Sequence, residues 1–377
     1  MSMNRFAKIA AVAAASTLVL AACSSESADP TQPASSGPAT SSSSSSASTE
    51  TGGGTGFTPE CPGGQLTGSG ASSQVTAVTE VISAYSAECG DTQIEYTGPG
   101  SGDGIKAFVA NQVDWAGSDS VLKDDQTTQA AERCGGNDAW NLPMVVGPIA
   151  FAFNIDGVDE LNLTAPVVSK ILLGEITSWN DPAIAELNPD ATLPDQAISV
   201  FFRSSSSGTT ENLTKYLAEA GEWPHEPSKD WAGSVGEGRP ATADVADSVA
   251  NTPGGFSYME WGAALERNLG VASLDGAELN PENVGSALTA AENVGEGNDI
   301  RLELKYSGLP EGAYPAIMVT YEIVCSAGGP ENTELLKDFL GYWASEDGQA
   351  PLEDLGYSPL PAEMIAQVEE AIAAIEA

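Results

Sequence analysis

Ile198-Ser199-Val200-Phe201-Phe202-Arg203-Ser204-Ser205-Ser206-Ser207-Gly208-Thr209 holds the transition that decides the fold. Residues 198–202 are rich in β-branched and aromatic side chains, as a strand favours. Past the Ser/Gly run, Leu213, Tyr216, Leu217 and Ala220 recur at helical spacing. A helix entered through such a loop presents unpaired backbone N–H groups and the positive end of its dipole, which together form a seat for an anion. Two more stretches have the same form. Thr67-Gly68-Ser69-Gly70-Ala71-Ser72-Ser73 precedes a stripe of Val75, Val78, Ile82 and Tyr85. Gly98-Pro99-Gly100-Ser101-Gly102-Asp103-Gly104 precedes Ile105, Phe108 and Val109. Strand-like runs at 93–96, 113–116, 144–153 and 317–324 complete an alternating pattern that predicts an α/β fold with mainly parallel sheets. Ligands of open α/β sheets bind at the carboxyl ends of strands. Three anion seats in one chain therefore suggest one shared ligand, held in a cleft between two domains.

Charge limits what that ligand can be. The chain carries 53 acidic and 14 basic side chains, a formal net charge of −39. Such a field repels nucleic acid and anionic membrane surfaces, so no nucleic-acid partner is expected and an anion must be held by short-range dipoles and hydroxyls. Most of the acidity reads as a solvated surface.

The N-terminus reads as an export signal. Arg5 and Lys8 precede an apolar run from Ile9 to Ala22, too short and Ala-rich for a comfortable membrane span, which ends at Leu20-Ala21-Ala22-Cys23. Leu, two small residues and Cys resemble the bacterial lipoprotein signal. The resemblance implies removal of residues 1–22, lipidation of Cys23 and anchoring to the outer face of the cell membrane. Residues 23–60 then form a tether, being almost wholly Ser, Thr, Pro, Gly and Ala up to Gly56. In an exported chain Cys61, Cys89, Cys134 and Cys325 allow up to two disulfides in three connectivities.

Several chemistries fail on spacing. In Gly98, Gly100, Gly102 and Gly104 the third glycine of a dinucleotide fingerprint is missing in every frame, and a nucleotide P-loop is absent, so no cofactor is expected. The lone histidine, His225, lies in a Trp-Pro-His-Glu-Pro loop, which gives no basis for a metal site. Ser120-Val121-Leu122-Lys123 matches S-x-x-K without its companion motifs, and neither Ser69 nor Ser101 has a Gly-x-Ser-x-Gly frame. An enzyme is not expected. A secreted serine hydrolase or an adhesive surface antigen is the alternative from another class.

Arg203 and Asp119 give the seats their character. Arg offers a planar fork of donors to a tetrahedral oxyanion, whereas a carboxylate beside an anion is repulsive unless the ligand brings a proton. With them, the chain resembles the phosphate-binding proteins of high-affinity phosphate ABC importers. The resemblance lies in Gly68-Ser69-Gly70-Ala71-Ser72-Ser73, Gly100-Ser101-Gly102-Asp103-Gly104-Ile105-Lys106, Val113-Asp114-Trp115-Ala116-Gly117-Ser118-Asp119 and Arg203 through Thr209, in that order. Trp179-Asn180-Asp181-Pro182, Thr252-Pro253-Gly254-Gly255-Phe256-Ser257-Tyr258 and Leu355-Gly356-Tyr357-Ser358-Pro359-Leu360-Pro361 extend it.

The resemblance implies a two-domain, periplasmic-binding-protein-like clamp of type II, with domain 1 at 61–146 and 318–377 and domain 2 at 147–317. The chain would cross the hinge at 144–153 and 317–324. Carried over residue by residue, the phosphate site uses Ser72, Ser73, Ser101 and Asp119 from one domain and Arg203, Ser207, Gly208 and Thr209 from the other. The implied protein is a monomeric receptor that passes inorganic phosphate to the permease subunits of an ABC importer without covalent chemistry. Another oxyanion or a phosphorylated compound is the alternative ligand. Two departures stand out. The family commonly has Thr-Phe where this chain has Ser72-Ser73, and a carboxylate where this chain has Ser205, which leaves open what orients Arg203.

Overall fold

The structure is a computed structural model and describes residues 57–377. The signal segment, Cys23 and the tether up to residue 56 lie outside the described residues. Strand β1 (Gly64–Gly70) is followed by helix α1 (Val75–Glu88), strand β2 (Thr92–Thr97), helix α2 (Ser101–Val109), strand β3 (Trp115–Ser118), helix α3 (Asp124–Arg133) and the 16-residue strand β4 (Ala139–Asn154). One nine-stranded sheet runs in the order β2, β1, β3, Ile317–Cys325, β4, Gly255–Glu260, Ser199–Arg203, Glu237–Arg239, with a short strand also pairing β4.

The sheet is parallel at both flanks and antiparallel where the chain passes through its middle. β2, β1 and β3 pair in parallel, as do Gly255–Glu260, Ser199–Arg203 and Glu237–Arg239. β4 joins the two flanks. Its first part pairs with Ile317–Cys325, from Ala139↔Cys325 to Pro148↔Ile317, and its second with Gly255–Glu260, from Ile149↔Glu260 to Asn154↔Gly255. The first ladder slips between Thr320 and Tyr321, where Pro143, lacking an N–H, faces Tyr321 and Met144 is the extra residue.

Each flank has its own aromatic core. Trp115, Phe339, Tyr85, Tyr342 and Trp343 pack on one side, while Phe151, Phe153, Trp179 and Phe256 pack on the other, with ring centroids 5.6–6.4 Å apart. Burying each such ring contributes on the order of 1.5–3 kcal/mol relative to leaving it exposed. Two disulfides are formed, Cys61–Cys89 and Cys134–Cys325. Asp338 accepts from the backbone N–H groups of Glu60 and Cys61, both at 3.0 Å, and from Tyr85 Oη at 2.7 Å. Among the described residues no helix is long and apolar enough to cross a membrane.

The Gly/Ser stretches are only partly loop. Residues 67–70, read as loop in the sequence, belong to β1, and the strand expected at 113–116 runs at Trp115–Ser118. Crowding explains the glycines there. A Cβ at Gly68 would lie 2.3 Å from the Trp115 ring, and one at Gly70 would lie 1.8 Å from the Gly117 carbonyl oxygen. Gly102 and Gly104 are likewise helical. A Cβ at Gly104 would stand 2.3 Å from the Gly70 Cα, so that glycine lets α2 lie against β1.

Candidate functional site

Asp119 follows β3 directly and is 3% exposed. Three helix-starting segments meet on its carboxylate. Ser73, in the turn before α1, donates from Oγ to Oδ1 at 2.6 Å. Ser101, the first residue of α2, donates to Oδ2 at 3.5 Å, while its Oγ accepts from the Asp119 N–H at 3.2 Å. Thr209, in the first turn of the Gly208–Ala220 helix, donates to Oδ2 at 3.1 Å. Burial pushes the Asp119 carboxyl up, while the Ser73 and Thr209 hydroxyls and the Arg203 and Lys229 charges pull it back down.

The Gly208–Ala220 helix belongs to the far flank of the sheet, so these contacts join both flanks. Asn212 donates to the Asp119 carbonyl at 2.6 Å, and the Gly102 N–H to the Ser206 carbonyl at 3.0 Å. A Cβ at Gly208 would fall 2.5 Å from Ser101 Oγ and 2.7 Å from Asp119 Cβ. Glycine at 208 permits this approach.

The helix start is well suited to an oxyanion. Ser207 caps it, with Oγ accepting from the Thr210 N–H at 3.3 Å, and its own N–H donates to the Lys229 carbonyl at 2.9 Å. The N–H groups of Gly208 and Thr209 have no acceptor among the described residues, as the first turn of a helix dictates. Unpaired N–H groups at the positive end of a helix dipole attract negative charge.

Arg203 ends the Ser199–Arg203 strand and is 2% exposed. Among the described residues no carboxylate holds it. Nε donates to the Pro240 carbonyl at 3.1 Å, Nη1 to Thr242 Oγ1 at 3.2 Å and Nη2 to Ser205 Oγ at 2.7 Å. Burial lowers the guanidinium pKa, and the charges of Tyr258, Asp119 and Asp244 offset part of that cost. Tyr258 Oη also accepts from the Arg203 N–H at 3.3 Å and shares a 2.6 Å hydrogen bond with Thr210. Thr242 reaches across to the other flank as well, with Ser72 Oγ 2.9 Å from its Oγ1 and accepting its N–H at 3.2 Å.

Of the residues expected from the sequence, Ser73, Ser101, Gly208 and Thr209 thus surround Asp119. Ser207 holds the helix start, and Ser72 and Arg203 meet through Thr242. Sequence reasoning missed Thr242, Pro240, Lys229 and Glu211. Glu237–Arg239 is a short strand and Thr242–Ala250 the helix after it, a further strand-to-helix turn that lacks the glycines marking the three seats. Lys229 sits between Ser228 and the exposed Asp230 in an irregular segment, with no periodicity to mark it. His225 is exposed beside Trp223, and Lys123 of the S-x-x-K match pairs with Glu211 at 3.0 Å.

A family profile described as a PBP superfamily domain matches residues 39–347. The chain is 37% identical to a protein of Mycobacterium tuberculosis (strain H37Rv) named phosphate-binding protein PstS 3, over 100% of both chains. It is 39% identical to a protein of the same name from Mycobacterium leprae, over 78% of this chain and 83% of that one. A crystal structure described as the phosphate-binding protein of Stenotrophomonas maltophilia shares the fold, at TM-score 0.62 and 19% identity, covering 81% of this chain and 93% of the other.

Proposed function

Since the chain belongs to the PBP superfamily and, within it, to the phosphate-binding proteins of phosphate ABC importers, we propose that it is the extracytoplasmic receptor that captures inorganic phosphate and delivers it to the importer's permease. The family is one of transport receptors, not of enzymes. Phosphate is received between Ser72, Ser73, Ser101 and Asp119 on one side and Arg203, Ser207, Gly208 and Thr209 on the other. Residues 61–146 with 318–377 form one domain of the clamp and 147–317 the second, and the chain crosses between them along β4 and Ile317–Cys325.

The observation that carries this reading is a buried carboxylate, Asp119, placed among hydroxyl donors beside Arg203 and the start of a helix. Donors alone accept any oxyanion. An acceptor among them favours one that still carries a proton, and near neutral pH phosphate keeps one whereas sulfate does not. Sulfate would set a lone pair against the carboxylate, an unpaired buried contact costing on the order of several kcal/mol and so a discrimination of ~10³ or more. Calorimetric titration of the purified protein with both anions tests this: tight phosphate binding with weak sulfate binding is expected, and equal affinity would overturn it.

The lipoprotein pattern at Leu20-Ala21-Ala22-Cys23 supports lipidation of Cys23 and attachment to the outer face of the cell membrane, with residues 24–60 as tether. Release of a Cys23→Ala variant into the medium is the expected result. A clamp that hinges freely works as a monomer, which light scattering of the soluble chain checks.

A further inference from the structure

Lys229 is 7% exposed, and its ammonium nitrogen makes no hydrogen bond among the described residues. Among the described residues its only close carboxylate contact is Glu211 Oε2 at 3.6 Å, too long for a hydrogen bond. Both ends of this residue are tied to the helix that begins the anion seat. Its carbonyl accepts the N–H of Ser207, the cap of that helix, and its ammonium lies against Glu211 in the first turn.

The charges around Glu211 do not balance. Lys123 reaches Oε1 at 3.0 Å, Lys229 approaches Oε2, and Lys215 acts on the same carboxylate. Counting Asp119, which Lys229 also feels, two carboxylates face three ammonium groups, of which Lys123 is half exposed, in a chain whose net charge is −39. Lys123 and Lys229 thus meet at the first turn of the Gly208–Ala220 helix, with Lys215 one turn further along. An ion pair kept only for structure needs one cation per anion, and a buried ammonium without a hydrogen bond, as at Lys229, is unfavourable unless something negative joins it. The surplus also extends to the seat: burial lowers the Lys229 pKa, the charges of Glu211 and Asp119 favour its cationic form against that cost, and those of Lys123 and Lys215 oppose it.

We propose that Lys229 is a second fixed cation of the anion seat, an affinity-determining residue whose ammonium acts through space on the anion held between Asp119 and Arg203 while Glu211 orients it. The inference rests on the reading of the seat as a phosphate site. It explains how a strongly acidic protein draws in a further negative charge: the repulsion of the distant surface is screened by salt, whereas a buried cation is screened far less.

A double-mutant cycle on the full soluble domain, read as the dissociation constant of inorganic phosphate by calorimetry, tests it. The variants are Lys229→Gln, Glu211→Gln and the pair together. If Lys229 acts on the anion, its loss weakens phosphate binding on the order of tenfold in the wild-type background and by a similar factor in the Glu211→Gln background. If Lys229 serves only to neutralise Glu211, its loss has no effect once Glu211 is an amide, and that result would overturn the proposal. Should Lys229→Gln alone fold poorly, the comparison of Glu211→Gln with the double variant decides alone, since both lack the buried carboxylate. Wild-type protein that binds no phosphate would overturn the phosphate reading and this inference together, whereas wild-type binding with an indifferent Lys229 overturns only the inference.

Discussion

Ser205 Oγ accepts a hydrogen bond from Arg203 Nη2 at 2.7 Å and donates its own proton to the Pro240 carbonyl at 2.7 Å. A hydroxyl thus orients a buried guanidinium where the family resemblance leads one to expect a carboxylate. The fork keeps its full positive charge for an anion, because among the described residues no carboxylate neutralises it by direct contact.

Loss of that hydroxyl in Ser205→Ala is expected to weaken phosphate binding by about tenfold or less, the worth of about one net hydrogen bond, and to leave the phosphate-to-sulfate ratio unchanged. Arg203→Ala removes the charge itself and is expected to cost several kcal/mol of binding. Calorimetric titration separates the two. An Arg203→Ala loss below about 1.4 kcal/mol would mean that the guanidinium does not contact the ligand.

Asp119→Asn replaces an acceptor with a group that both donates and accepts. Phosphate affinity is expected to fall, and the gap between phosphate and sulfate to narrow by about tenfold or more. Unchanged discrimination would remove Asp119 from the role of proton detector.

Glu322 lies fully buried in the Ile317–Cys325 strand. Its Oε1 accepts from Gln74 Nε2 at 2.8 Å, and Oε2 has no partner among the described residues. Burial pushes its carboxyl well above the ordinary carboxylate range. For a carboxyl raised in the folded state, the stabilising proton is present below the unfolded pKa and its contribution is lost as pH rises through the folded one. Stability is therefore expected to decline as pH climbs above the ordinary carboxylate range. Glu322→Gln, which holds a neutral side chain at every pH, is expected to flatten that decline and raise Tm at alkaline pH, while changing stability at acid pH by about 1 kcal/mol or less. Thermal melts of both proteins across pH decide it. An identical pH profile would show that Glu322 is not the group responsible.

Cys134 and Cys325 are 191 residues apart and Cys61 and Cys89 are 28 apart. In the chain-entropy model the longer loop contributes about 5 kcal/mol and the shorter about 3.5 kcal/mol. Paired replacement of Cys134 and Cys325 by alanine is expected to lower Tm more than paired replacement of Cys61 and Cys89. Melts of the two double variants under oxidising conditions check the order.

Strands with bulky β-branched and aromatic residues were legible in the sequence, and so was the helix that follows Arg203, because Leu213, Tyr216 and Leu217 do face the core. β1 was not, since Gly68 and Gly70 resemble a loop until Trp115 and Gly117 are seen pressed against them. Within the site, Asp119 and Arg203 were found because charged residues beside Gly/Ser turns are chemically conspicuous. Thr242, Pro240 and Lys229 were not, since each acts through a contact distant in sequence that no local pattern encodes. The pairing of the cysteines likewise depends on which strand and helix ends meet in space.

Asp338 has a mechanical consequence. By gripping the backbone of Glu60 and Cys61 while Tyr85 and the Cys61–Cys89 bridge brace the same spot, it forms a cleat at the foot of the described chain. A pull arriving through the N-terminal segment is borne by α1 and the Thr333–Ala344 helix, which already pack together through Tyr85, Phe339 and Tyr342. Arg203 and the Gly208–Ala220 helix lie outside that load path, so such a pull is expected to leave the anion seat undisturbed.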